Sequence, residues 1–147
     1  MNYTRALNHY KHTDIQTANK SGLVLMCYEK AIENFLIAKN CLAQKEHAKK
    51  AKATQKGLAI VNELQCCLDF EKGGQIARNL DSIYNYIHRR LLEGDARNDG
   101  SALDETIRLL KELHEAWEAV IHQQSATPPA NTMSTHEAKN LIAGTAV

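Results

Sequence analysis

The two prolines of this chain are Pro128 and Pro129, so no residue before them forces a break in a helix. A helix interior excludes proline more strongly than any other residue. Along that proline-free stretch, apolar residues recur every three or four positions, the spacing that lines up one face of an α-helix. In the first segment Leu23, Cys27, Ala31, Phe35, Ala38 and Leu42 draw a stripe, and Val24, Tyr28 and Ile32 widen it. A stripe that broad exceeds what one partner helix covers, which predicts contact with two. The helix is expected over Lys20 to Cys41. Asn19 is its predicted N-cap, since a short polar side chain there accepts from unpaired N–H groups.

The second helix is expected from Glu46 to Phe70. Its first half is rich in lysine (Lys45, Lys49, Lys50, Lys52, Lys56), and its second carries Leu58, Val61, Leu64 and Leu68. Gly57 inside it costs about 1 kcal/mol relative to Ala, which a close approach of a neighbouring helix would offset. The third helix is expected from Gln75 to Leu92 on the stripe Ile76, Leu80, Ile83, Ile87 and Leu91. Between the second and third, Gly73-Gly74 reads as the chain reversal, because glycine supplies the left-handed backbone that ends helices. Glu93 to Gly100 reads as a loop. Ser101 then opens the fourth helix, with Asp104 completing a variant capping box. Leu103, Ile107, Leu110, Leu113, Trp117 and Val120 form its core face, ending near Gln123.

These signals predict an all-α, antiparallel up-down four-helix bundle over residues 19–124. Before it, residues 1–18 read as an arm with isolated apolar anchors at Leu7, Tyr10 and Ile15. After it, residues 125–147 shift to Ser, Thr, Pro, Ala and Asn and read as a disordered tail. Within that tail, Ser134 and Glu137 have the spacing to cap a short helix through Ile142.

A net charge of +1 gives no general attraction to nucleic acid or anionic membrane. The Lys45–Lys56 run has little aromatic support and reads as a solvated face, with nucleic-acid binding the weakest alternative. Cys27, Cys41, Cys66 and Cys67 lack metal-ligand spacing and read as reduced, packed thiols. No apolar leader and no run long enough to span a membrane appears, so a cytosolic protein is expected. No Glu-x-x-His pair suggests a di-iron site, no phosphate loop opens a helix, and no nucleophile motif occurs. The chain is therefore not expected to be an enzyme or to carry a cofactor or metal. His88 and His114 on helices leave a phosphotransfer or adaptor module as the alternative function, although both read as ordinary boundary histidines.

Four ordered blocks resemble one family, the flagellar export chaperones of flagellin (the FliS family), over about Tyr3 to Ile121. The first is Tyr10 and Gln16-Thr17-Ala18, leading to Leu23 through Tyr28 and Ala31-Ile32. The second is Leu58 through Leu64, running into Leu68-Asp69. The third is Glu71 through Leu80, continuing to Tyr84-Asn85-Tyr86 and Arg89-Arg90-Leu91. The fourth is Arg97-Asn98-Asp99, Leu103-Asp104-Glu105, Leu109-Leu110 and Ala116-Trp117. The chain departs from the family pattern at Asn19-Lys20, where Ser-Pro is usual, at Lys30, where a small residue is common, and at Gln75, where Glu is usual.

The resemblance implies a non-enzymatic cytosolic chaperone. It would bind the C-terminal segment of flagellin, block premature polymerisation and aid delivery to the flagellar type III export gate. It implies partner contact at Leu7 and Tyr10 of the arm, with Ile15 beside them. Tyr28, Ile83, Tyr84 and Ile87 are the candidates within the bundle, though residues of these types at helical spacing are more often core than groove. Gly73, Gly74 and Trp117 are expected to be structural.

Overall fold

The computed structural model describes residues 17–126, with side chains from 20 to 123. The anchors Leu7, Tyr10 and Ile15 lie outside those residues, as does the segment after 126. Four helices follow one another: α1 (Thr17–Ala43), α2 (His47–Cys66), α3 (Phe70–Arg97) and α4 (Gly100–Ala126). Each runs antiparallel to the next. In the resulting ring, α1 packs most closely, against both α2 and α4, while α3 stands further from its two neighbours. The broad stripe of α1 thus covers two helices, and Tyr28, Phe35, Ile60, Ile87 and Leu110 are fully buried at the centre.

Gly57 is where α1 and α2 approach. A Cβ at that position would sit 2.6 Å from Phe35 ring carbons, so only glycine lets the Phe35 ring lie flat against the α2 backbone.

Three boundaries differ from the sequence expectation. Helix α1 begins at Thr17, so Asn19 lies inside it and is not its N-cap. The reversal between α2 and α3 falls at residues 67–69, ahead of the glycine pair. There the Asp69 carboxylate accepts from the Glu71 and Lys72 N–H groups, each at 3.0 Å. It satisfies the free donors of a helix start that already includes Phe70. Gly73 is buried within the first turn, its N–H donating to the Asp69 carbonyl at 2.8 Å. Gly74, at φ 48 and ψ −123, bends the helix after that turn. Gly74 therefore divides a single first turn, Phe70 to Gly73, from the long helix that follows, while the chain reversal itself lies at residues 67–69.

The expected loop over Glu93–Gly100 is mostly helix. Helix α3 continues to Arg97, with Gly94 packed where a Cβ would collide with Ala102, and the stop comes from Asn98 in the left-handed conformation, φ 50. Asp99, not Ser101 with Asp104, caps α4. Its carboxylate accepts from the Ser101 N–H at 2.9 Å and hydroxyl at 2.7 Å, and those bonds hold its pKa below the usual carboxylate range. Asp104 instead pairs with Lys39 of α1 at 2.6 Å.

Candidate functional site

The greater spacing around α3 leaves two seams, and they differ in kind. On the α2 side, the Gln65 amide donates to Asp81 at 2.8 Å and to Asn85 at 2.7 Å, a polar clamp across the seam. On the α4 side Tyr86–Glu105 and Arg90–Ser101 bridge the seam but leave part of it uncovered. A shallow groove of about 310 Å³ runs there, lined by Ser82, Ile83 and Tyr86 of α3 and by Glu105, Arg108 and Leu109 of α4.

The groove follows from where these residues stand relative to the core. On α3 the buried stripe is Ala77, Leu80, Tyr84, Ile87, Leu91 and Gly94. Ile83 lies one position off that stripe, half-buried against the core. Leu109 is its counterpart on α4, one position off Leu110. Together they supply an apolar floor. The Tyr86 hydroxyl donates to the Glu105 carboxylate, which raises the phenol's pKa. Arg90 Nε stands 3.7 Å from the same carboxylate, and the Arg89 guanidinium lies 5.5 Å from the centre of the Tyr86 ring. Arg108 reaches Glu112 one turn along at 3.1 Å. An apolar floor with charged residues of both signs on its rim suits one face of an amphipathic helix.

The candidates from the sequence are divided by this arrangement. Ile83 is in the groove. Tyr28, Tyr84 and Ile87 are core residues, 0–2% exposed, so in this form none presents a surface to a partner. Both phenols are tolerated inside because their hydroxyls bond to each other. Trp117 is buried beside them, 3% exposed. Burial pushes the Tyr28 phenol up to about 12 and Tyr84 well above its usual range. Sequence reasoning missed Tyr86, Glu105, Arg108 and Leu109 as groove residues. The signal was present: Leu109 is an apolar residue just off the main stripe, opposite Ile83.

The remaining candidates for chemistry are held in other roles. His114 lies 3.0 Å from Glu29 of α1 and 3.6 Å from Glu118. His88 has its Nε2 buried without a partner, and burial lowers its pKa. Lys50, within the lysine run, is 5% exposed and pairs with Asp95 at 2.5 Å, so that run is not uniformly a solvated face. Cys27 and Cys41 are buried, whereas Cys66 is exposed and Cys67 half-buried, which corrects the expectation that all four pack as small hydrophobes. No group of three or more His, Cys, Asp or Glu among the described residues is placed to hold a metal, and no helix among them is long and apolar enough to cross a membrane.

A family model described as "Flagellar protein FliS" matches residues 3–124. The flagellar secretion chaperone FliSB of Pseudomonas aeruginosa is 30% identical over 122 residues, covering 80% of this chain and 97% of the relative. The flagellar secretion chaperone FliS of Salmonella typhimurium is 36% identical over 107 residues, 72% of this chain and 79% of that protein. The Bacillus subtilis protein of the same name is 23% identical over 115 residues, covering 78% and 85%.

Proposed function

The chain belongs to the FliS family of flagellar proteins, a family of chaperones and not of enzymes, and from that premise we propose that its α3–α4 groove receives the C-terminal segment of flagellin. As a member, the chain is a flagellar secretion chaperone. The finer reading is that it works in the cytosol, keeps flagellin from polymerising early and helps deliver it to the flagellar type III export gate.

One observation supports this reading: the α3–α4 seam holds a shallow groove whose floor is Ile83 and Leu109 and whose rim is Tyr86, Glu105 and Arg108. A flagellin segment that is unfolded when free and helix-prone would lay its apolar face on Ile83 and Leu109. Ordering on binding opposes affinity, so contact must extend beyond one groove. The arm residues Leu7, Tyr10 and Ile15 are proposed to add that contact.

The test is co-elution of the full chain with a C-terminal fragment of flagellin on size exclusion. The expected result is a single complex peak that is lost in the Ile83→Glu/Leu109→Glu variant while its far-UV circular dichroism is unchanged. Two separate peaks with the unmodified chain would overturn the proposal.

A further inference from the structure

Charge is not spread evenly over the bundle. Between Lys45 and Lys56 the chain carries five lysines against one glutamate, Glu46. Lys50 is buried against Asp95, and the other four lysines are exposed. Lys49, Lys52 and Lys56 recur at i, i+3 and i+7, which puts them on one face of α2. Lys45 stands in the turn just before that helix, at φ 60. Glu46 pairs with Lys49 at 2.5 Å, so four exposed lysines against one glutamate leave this face a surplus of three positive charges.

Helix α4 has the opposite balance. Asp104, Glu105, Glu112, Glu115 and Glu118 stand there against Arg108 and Lys111. Helices α1 and α3 each pack against both α2 and α4, so α2 and α4 occupy diagonal corners of the ring. With neighbouring axes about 10 Å apart, diagonal axes are about 14 Å apart or more. The Debye length at physiological salt is about 8 Å. A partner at the α2 face therefore meets the lysines while the carboxylates of α4 are screened. The overall charge of +1 conceals a basic corner.

The make-up of that corner selects among anionic partners. Lysine is a flexible point charge, whereas fixed, planar pairing with carboxylate or phosphate favours arginine. No Arg, Phe, Tyr or Trp occurs between Ala43 and Phe70. The face thus lacks both the bidentate anchors and the stacking rings that a nucleic-acid surface uses. A fluid bilayer needs neither, because its anionic headgroups move to the charges and attract each lysine without fixed geometry.

We infer that the Lys45–Lys56 face of α2 is a docking surface for an anionic lipid bilayer, met peripherally and without insertion. The inference is independent of what fills the α3–α4 groove. Because α4 lies diagonally opposite α2, a chain resting on a bilayer through this face keeps that groove accessible.

The experiment is co-sedimentation of the full chain with phosphatidylcholine vesicles, with and without about one-third phosphatidylglycerol, at low and at physiological salt. The chain is expected to bind only the anionic vesicles, and less as salt rises. Lys45→Gln/Lys49→Gln/Lys52→Gln/Lys56→Gln is expected to weaken that binding at least about tenfold. Lys72→Gln/Arg78→Gln/Arg97→Gln/Lys111→Gln removes as many positive charges from exposed positions elsewhere and should retain most of it. Equal loss in the two variants would overturn the inference, since net charge would then be the cause. So would equal binding to neutral vesicles, or no binding of the unmodified chain to anionic ones. A DNA duplex or polyglutamate held through the same lysines, with vesicles left unbound, would assign the face to another class of partner and equally overturn it.

Discussion

The hydroxyls of Tyr28 on α1 and Tyr84 on α3 meet in a direct hydrogen bond between two helices that face each other diagonally across the core. Neither phenol has another route to water, since both are almost fully buried. An apolar pair at these positions would tolerate sliding of α3 along α1. A pair that must meet hydroxyl to hydroxyl fixes one register.

Removing the Tyr28 hydroxyl leaves that of Tyr84 buried without its partner, and removing the Tyr84 hydroxyl leaves Tyr28 only its bond with Trp117. Tyr84→Phe and Tyr28→Phe are each expected to cost about 1–3 kcal/mol. The double variant should cost clearly less than their sum, because no orphaned hydroxyl remains. Urea unfolding of the four proteins measures this. Strict additivity would show that the bond does not couple the two helices.

The same burial makes the fold sensitive to alkali. The folded protein holds the Cys27 thiol proton to about pH 11 and the Tyr28 proton to about pH 12, mainly through desolvation. The unfolded chain releases them near the ordinary values of 9.0 and 10.0. Above those values the unfolded state binds fewer protons, so stability falls as pH rises. Unfolding free energy should therefore show no pH dependence from these groups below pH 9, where their full stability is present, and should decline between pH 9 and 12. Cys27→Ala should flatten the part between pH 9 and 11. A wild-type profile that stays level to pH 12 would contradict this account.

Gly74 adopts φ 48 and ψ −123 with no atom within 4 Å of where a Cβ would stand. The penalty for a side chain there is backbone strain and not collision. Gly74→Ala is expected to destabilise by about 1–3 kcal/mol, and Gly74→Val by more, because β-branching restricts the backbone further. A D-alanine introduced by semisynthesis should be tolerated, since its mirror-image preference matches this geometry. An unchanged thermal midpoint for Gly74→Ala would remove the argument.

The helices were legible because each stripe, such as Leu103 to Val120 on α4, repeats at helical spacing with no proline to interrupt it. Boundaries were less legible where glycine occurs. Gly73-Gly74 looks like a reversal and Gly94 like the start of a loop, but glycine also serves where helices kink or nearly touch. Asp69 and Asn98, which do mark the turns, are weaker signals because Asp and Asn are common on helix surfaces. The groove was half legible. Ile83 was named, but its partner Leu109 becomes visible only when the distance between α3 and α4 is known. The burial of Tyr28 and Tyr84 was not legible in any local pattern, because the bond that permits it joins residues far apart in sequence.

Lys50 gives the last prediction. Its ammonium is buried at the end of the bundle near Leu42, Leu91 and Leu103, and its partner Asp95 is half exposed. A buried charge costs desolvation that its partner only partly offsets. Asp95→Asn leaves that charge without its counterion and is expected to cost about 1–3 kcal/mol. Lys50→Met removes the charge and keeps the length of the side chain beside the three leucines, so it should be neutral or stabilising. Denaturant unfolding of the two variants gives the ordering. A Lys50→Met variant less stable than Asp95→Asn would mean that the ion pair itself, and not the apolar packing around it, holds that end of α2 to α3.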